Sequence, residues 1–187
     1  MKRLLFAAFA LTLALSMTAQ EHMKFKGMEI TGTSSDFGKQ LISQGFTFVQ
    51  SQNIGDIYVG QFTGQEVLLT LCSTPVSHTL YSVVVIYEGQ PLWPSLKEQY
   101  MTMKEKLKTK YGKPSDVTEK FVDGFGEDML PLLAIERQKA IYRTRYKTEN
   151  GGITLSIGRL EGQNMVIVNY WDEQGHKLNE QEIMEDL

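Results

Sequence analysis

Ile141–Glu173 reads IYRTRYKTENGGITLSIGRLEGQNMVIVNYWDE, three strand-like runs separated by short polar turns. Its β-branched and aromatic residues suit a pleated, half-buried surface. Asn150-Gly151 is a strong hairpin signal. The runs predict strands over Tyr142–Thr148, Ile153–Arg159 and Met165–Trp171. A second stretch, Ile57–Glu88 (IYVGQFTGQEVLLTLCSTPVSHTLYSVVVIYE), has the same layout. Ile57-Tyr58 matches Ile141-Tyr142 and Thr70-Leu71 matches Thr154-Leu155 at an offset of 84 residues, and Tyr87 matches Tyr170 at 83. The pattern is read as one half-domain present twice.

Working outward, Tyr58–Thr63 and Glu66–Ser73 flank Gly64-Gln65 as a hairpin turn. Leu80–Glu88 is almost continuously apolar, which predicts a central strand or one covered on both faces. Upstream, Phe25–Thr31 reads as a short first strand and Thr47–Gln52 as another. Ser34 and Ser35 are N-cap residues for a helix over Ser35–Gln44, with Phe37, Leu41 and Phe46 on one face and Gly45 as its stop. The second half opens on Ser95-Leu96-Lys97-Glu98, a capping box. Leu96, Tyr100, Met103, Leu107 and Tyr111 then form one apolar stripe, ended by Gly112 and Pro114. Val117–Val122 is the counterpart of Thr47–Gln52. An insertion at about 123–140 carries a short helix that starts or kinks at Pro131. Leu178–Leu187 is an acidic tail with one or two helical turns.

A helix must bury its stripe, and two such helices share one sheet. The expectation is an α+β fold. Two tandem helix-plus-four-strand repeats, 20–90 and 91–187, form one continuous domain with a mostly antiparallel sheet and helices on one face.

This order of elements, with helix ends such as Lys110-Tyr111-Gly112-Lys113-Pro114, resembles the exported β-lactamase-inhibitory-protein-like family. The likeness spans residues 33–173 as architecture. It implies a helix-covered sheet whose open face grips a protein partner. It carries over no functional residue, and the family's disulfides have no counterpart in a chain with one cysteine.

Lys2 and Arg3, the apolar run Leu4–Leu15 and the small residues up to Ala19 read as a signal peptide over 1–19, cut after Ala19. The run is shorter than the roughly 20 apolar residues a membrane span requires, so the mature chain is expected to have no transmembrane segment. The expected location is periplasmic or secreted. Removing Lys2 and Arg3 leaves 17 basic against 22 acidic residues, a net charge of −5. Such a chain, without a basic cluster, argues against nucleic acid as a partner. Cys72 is the only cysteine, so the core carries stability without an internal disulfide.

Alternation then assigns the faces. Tyr142, Thr144 and Tyr146 alternate with Arg143, Arg145 and Lys147, and the basic set should face water. By the same parity Ile153, Leu155, Ile157, Val166, Val168 and Tyr170 are buried. Thr154, Ser156, Ile167, Asn169 and Trp171 are open. Carried to the first half, Ile57, Val59, Gln61, Leu68, Thr70, Cys72, Val84 and Ile86 join the open face. An apolar patch of this kind marks a contact site unless the insertion or a chain end covers it. Ile57, Val59, Leu68, Val84, Ile86, Arg143, Arg145, Ile167 and Trp171 are the candidate protein-binding residues.

Catalytic motifs were sought among the nucleophiles and ligands. His22, His78 and His176 lie far apart, and no Cys-x-x-Cys or His-Glu-x-x-His spacing occurs. Asp123–Asp128 lacks the alternating oxygen ligands of a calcium loop. Cys72 with His78 has no third group to orient the pair. No cofactor is expected, and the chain reads as a non-enzymatic binding module for a protein or peptide. The alternatives are a small-ligand carrier, with Met129, Leu130, Leu132 and Leu133 lining a pocket under the insertion, and, ranked last, a hydrolase with a dispersed site.

Overall fold

Strand runs separated by glycine turns zip up locally, and the apolar stripe of each helix then closes over the product. The computed structural model of the protein describes residues 21–53 and 55–185. The signal-peptide reading of 1–19 lies outside them. In chain order the elements are β1 (Lys24–Phe25), β2 (Met28–Glu29), α1 (Ser34–Ser43), β3 (Thr47–Gln52), β4 (Gly55–Phe62), β5 (Gln65–Ser73) and β6 (Leu80–Tyr87). There follow α2 (Trp93–Tyr111), β7 (Asp116–Phe121), α3 (Pro131–Glu136), β8 (Ala140–Thr148), β9 (Gly151–Leu160), β10 (Gln163–Asp172) and α4 (Glu173–Glu185).

The fold is α+β. Strands β3 to β10 form one eight-stranded sheet in the order β3-β4-β5-β6-β10-β9-β8-β7. Every neighbouring pair is antiparallel. Strands β3–β6 and β7–β10 share one sheet because β6 and β10 meet at its centre. Both are buried on the helix side, as the apolar run in β6 requires.

Helices α1, α2 and α3 cover one face. Leu96, Tyr100, Met103 and Leu107 of α2 are buried there, each contributing about 1.5–3 kcal/mol relative to an exposed side chain. Tyr142, Thr144 and Tyr146 of β8 point at α2. Tyr142 packs edge-on to Trp93 and Tyr100, Thr144 Oγ1 lies 2.7 Å from the Tyr100 hydroxyl, and the Tyr146 hydroxyl donates to the Lys104 carbonyl at 2.8 Å. The β1–β2 ribbon seals the same core, with Phe25 stacked on Phe62 and edge-on to Tyr170.

Several local expectations are corrected. Phe25–Thr31 is not one strand: Lys26 and Gly27 take positive φ and fold it into the β1–β2 hairpin. The cap of α1 is Thr33, whose Oγ1 accepts from the Asp36 N–H at 3.1 Å. The Ser95 capping box is not used. Helix α2 begins at Trp93, three residues before the Leu96 start that a Ser95 cap implies, with no side-chain cap, because proline is tolerated in a first turn and Trp93 gains burial in the core. The β4–β5 turn is Thr63-Gly64, both at positive φ, one residue before the expected Gly64-Gln65. In the β8–β9 hairpin Thr148 pairs with Gly151, so the loop is Glu149-Asn150. The acidic tail is a helix of 13 residues, α4, started by Asp172, whose Oδ2 accepts from the Gly175 N–H at 3.0 Å.

Candidate functional site

The face away from α1–α3 is built row by row from the register. One row runs Val59, Leu68, Ile86, Ile167, Ser156, Arg143, Thr118 across seven strands. The next runs Ile57, Thr70, Val84, Asn169, Thr154, Arg145, Asp116. A third runs Cys72, Ser82, Trp171, Gly152, Lys147. All nine candidate residues therefore share one face, because an antiparallel pleat keeps directly paired residues on the same side. The first two rows change from mainly aliphatic on β4–β6 to mainly polar and basic on β7–β9.

The aliphatic end forms a shallow groove of about 340 Å³ along Val59, Leu68, Ile86, Leu160 and Met165, with Glu66, Glu88 and Glu161 at its rim. Leu68 is 41% exposed, whereas Ile86 is 9% exposed, shielded by its lateral neighbours.

The basic end is a larger cleft of about 680 Å³. Its floor is Thr154, Asn169 and Trp171, Arg145 and Lys147 flank it, and His176 and Asn179 of α4 with Tyr81 of β6 close one side. Gly152 lets the indole lie down on the sheet, since a Cβ there would fall 2.7 Å from Trp171 Cζ2. The His176 ring sits 5.5 Å from the indole and 6.4 Å from the Tyr81 ring, centroid to centroid. Ser82 Oγ donates to Asn169 Oδ1, which leaves the Asn169 Nδ2 group as a spare donor. Arg143, one row away, has its Nη2 3.9 Å from Asp116 Oδ2.

Helix α4 walls this end because both its ends are tied down. Asp172, buried, accepts from the Met23 N–H at 2.8 Å and from Gly175, with His22 Nδ1 at 3.1 Å. Glu182 reaches the β5–β6 turn, where its carboxylate accepts from the Val76 N–H at 2.7 Å and the Ser77 N–H at 3.1 Å. Burial pushes Glu182 upward, but the hydrogen bonds from Ser77, Val76 and Thr74 outweigh it and hold the carboxyl below its usual range.

Tyr81, His176 and Asn179 were not anticipated. Parity puts Tyr81 with Val83 on the helix side, but the β5–β6 register slips between Cys72 and Ser73, and the bulge turns Tyr81 toward the cleft. His176 and Asn179 depend on α4. It starts five residues before the expected tail at Leu178–Leu187 and so takes in His176, while Asn179, inside that tail, had no expected place against the sheet. The available signal was Asp172-Glu173, an N-cap followed by an acidic first turn, masked by the helix-weakening Gly175.

The insertion fills rather than encloses. Ala134 and Ile135 of α3 are in the buried interior and Leu132 packs against it, while Met129 and Leu130 are 61% and 62% exposed. Burial pushes the Cys72 thiol up to about 11, so at neutral pH it is a protonated, weak nucleophile. Among the described residues no three His, Cys, Asp or Glu side chains converge as a metal site, and no helix is long and apolar enough to cross a membrane. Comparison with known proteins found no matching family model, no matching curated protein and no matching solved structure.

Proposed function

We propose that the protein is an exported, non-catalytic binding module that holds a protein or peptide segment across the open face of its sheet. The observation that carries this reading is the aliphatic half of the rows: Ile57, Val59, Leu68, Val84 and Ile86 lie side by side on the face away from α1–α3, and Leu68 at its middle is 41% exposed. A solvated face of an antiparallel sheet is ordinarily polar, and a contiguous apolar strip on one is a typical contact surface. The filled interior beneath α3 favours a surface over a carrier pocket, and the protonated Cys72 favours binding over nucleophilic chemistry.

The test is a photo-crosslinking amino acid placed at Leu68 and, as a control, at Ile42, a somewhat more exposed position on α1. In the native envelope, adducts from position 68 to a defined protein, absent from position 42, are expected. Equal labelling from both positions, or none from either, would argue against the open face.

A further inference from the structure

We propose that the cleft between α4 and strands β8–β10 is a carboxylate-binding site, in which Arg145 and Lys147 take the carboxylate and the Trp171 indole packs against the adjoining apolar part of the ligand. This rests on reading the open face as a binding surface and names the chemistry of one part of what it holds.

The chain as a whole carries a net charge of −3, so its acidic side chains outnumber the basic ones. Yet Arg145 and Lys147, two positions apart on β8, project into one concave site, and neither meets a carboxylate at ion-pair distance among the described residues. The nearby acids have other cations beside them. Asp116, cross-strand from Arg145, has its Oδ2 3.9 Å from Arg143 Nη2. Glu173 is bound by Lys177 at 2.9 Å. That hydrogen bond foremost, with Lys147 and His176 adding their charge, holds Glu173 below the usual carboxylate range. The positive field of the cleft therefore already acts on a carboxylate at its rim.

The remaining walls fit the same ligand class. A guanidinium presents a planar fork that matches a carboxylate with two parallel hydrogen bonds, and the spare Asn169 donor lies cross-strand from Thr154, itself paired with Arg145. The flattened indole gives an apolar surface next to those donors. Pockets of several hundred Å³ with a mostly apolar surface and a few convergent polar groups are the usual form of a small-ligand site.

A carboxylate of this kind has two sources, a free organic acid or an acidic side chain on a bound peptide. The experiment uses the isotopically labelled mature protein and follows the Trp171 indole N–H and the Thr154 and Asn169 amides by NMR. Three probes are titrated: phenylacetate, acetyl-Glu-Phe-amide, and the neutral acetyl-Gln-Phe-amide. Saturable shifts with either acid, weak or absent shifts with the neutral peptide, and a loss of about tenfold or more in affinity for Arg145→Gln are expected. Arg145 and Lys147 are exposed, so the two glutamine variants, Arg145→Gln and Lys147→Gln, should keep the wild-type spectrum elsewhere. If phenylacetate binds as well as the acidic peptide the source is a free acid, and if the peptide binds tighter it is a side chain. Equal affinity for the acidic and neutral peptides, no saturation by either acid, or unchanged affinity in both glutamine variants would overturn the proposal. None of these outcomes alters crosslinking at Leu68, so the two readings fail separately.

Discussion

The groove at the β4–β6 end and the cleft at the β8–β10 end share one sheet face, one register and one pleat, yet they are different surfaces. The groove is aliphatic, shallow and rimmed by Glu66, Glu88 and Glu161. The cleft is basic, aromatic and walled by a helix. Backbone geometry decides only which side chains lie together. The groove needs nothing beyond the sheet. The cleft also needs α4, held by the carboxylates of Asp172 and Glu182 at its two ends. One end of the face is therefore as stable as the sheet, and the other only as stable as the docking of a terminal helix.

The largest expected effect tests whether the groove is bare. Leu68 and Leu69 are neighbours on β5 with opposite directions, one 41% exposed and the other 0%. Leu69→Ala leaves a cavity among core side chains and is expected to cost about 3 kcal/mol in chemical denaturation. Leu68→Ala is expected to cost less than about 1 kcal/mol. Comparable losses would mean that the groove is covered as the helix side is, and the contrast between the two ends would collapse.

Next in size is Gly152→Ala. The added methyl must displace the indole of Trp171, because the ring carbons lie 2.7 and 2.9 Å from its position. Overpacking of this kind costs about 1–3 kcal/mol. The groove lies on other strands, so crosslinking at Leu68 should persist while the Trp171 environment, read by its indole N–H resonance, changes.

The Glu182 clasp has a local effect. Its carboxyl is held below the ordinary value in the folded state, so the stabilisation is fully present above that ordinary value and is lost as pH falls through the lowered folded one. Glu182→Gln keeps the shape and removes the charge, and should abolish this acid dependence. Hydrogen exchange is the readout. Amides of α4 should lose protection on acidification in the wild type and already be less protected in the variant at neutral pH, with β5 and β6 unchanged in both. Uniform loss across the sheet would mean that α4 is integral to the core instead of docked on it.

How much of this the chain announces depends on the range of the interaction. Strand parity is local, which is why Arg143, Arg145 and Trp171 are legible as one face from alternation alone, as are Ile57, Val59, Leu68, Val84, Ile86 and Ile167. The stripe of α2 is local too, and Leu96, Tyr100, Met103 and Leu107 are found on its buried side. Tyr81 is illegible because the bulge that turns it depends on how two strands settle against each other. Helix α4 is illegible because what stabilises it is distant. Glu182 bonds to the N–H groups of Val76 and Ser77, more than a hundred residues earlier, and no helical periodicity records such a contact. The start of α2 is misread for a related reason: Trp93 joins the helix to pack edge-on against Phe121 and Tyr142, and this outweighs the capping signal at Ser95.

The smallest expected effect concerns Cys72, which sits in the row that ends in the cleft but on the strand that carries the groove. If it belonged electrostatically to the basic end, its thiol would be activated, since neighbouring cations favour the thiolate. Burial instead pushes it up to about 11 from an ordinary value of 9.0. That shift makes the thiolate about a hundredfold rarer at neutral pH, because each unit is a factor of ten. Alkylation by iodoacetamide should accordingly be far slower than for free cysteine at pH 7. Its rate should rise about tenfold per pH unit through the alkaline range, for as long as the fold, followed by circular dichroism, stays intact. Cys72→Ser should leave both crosslinking at Leu68 and carboxylate binding at Arg145 unaltered. Rapid labelling at pH 7 would place the thiol within the field of the basic end after all. The boundary between the two surfaces would then move from β10 to β5, and nucleophilic chemistry would have to be weighed against binding.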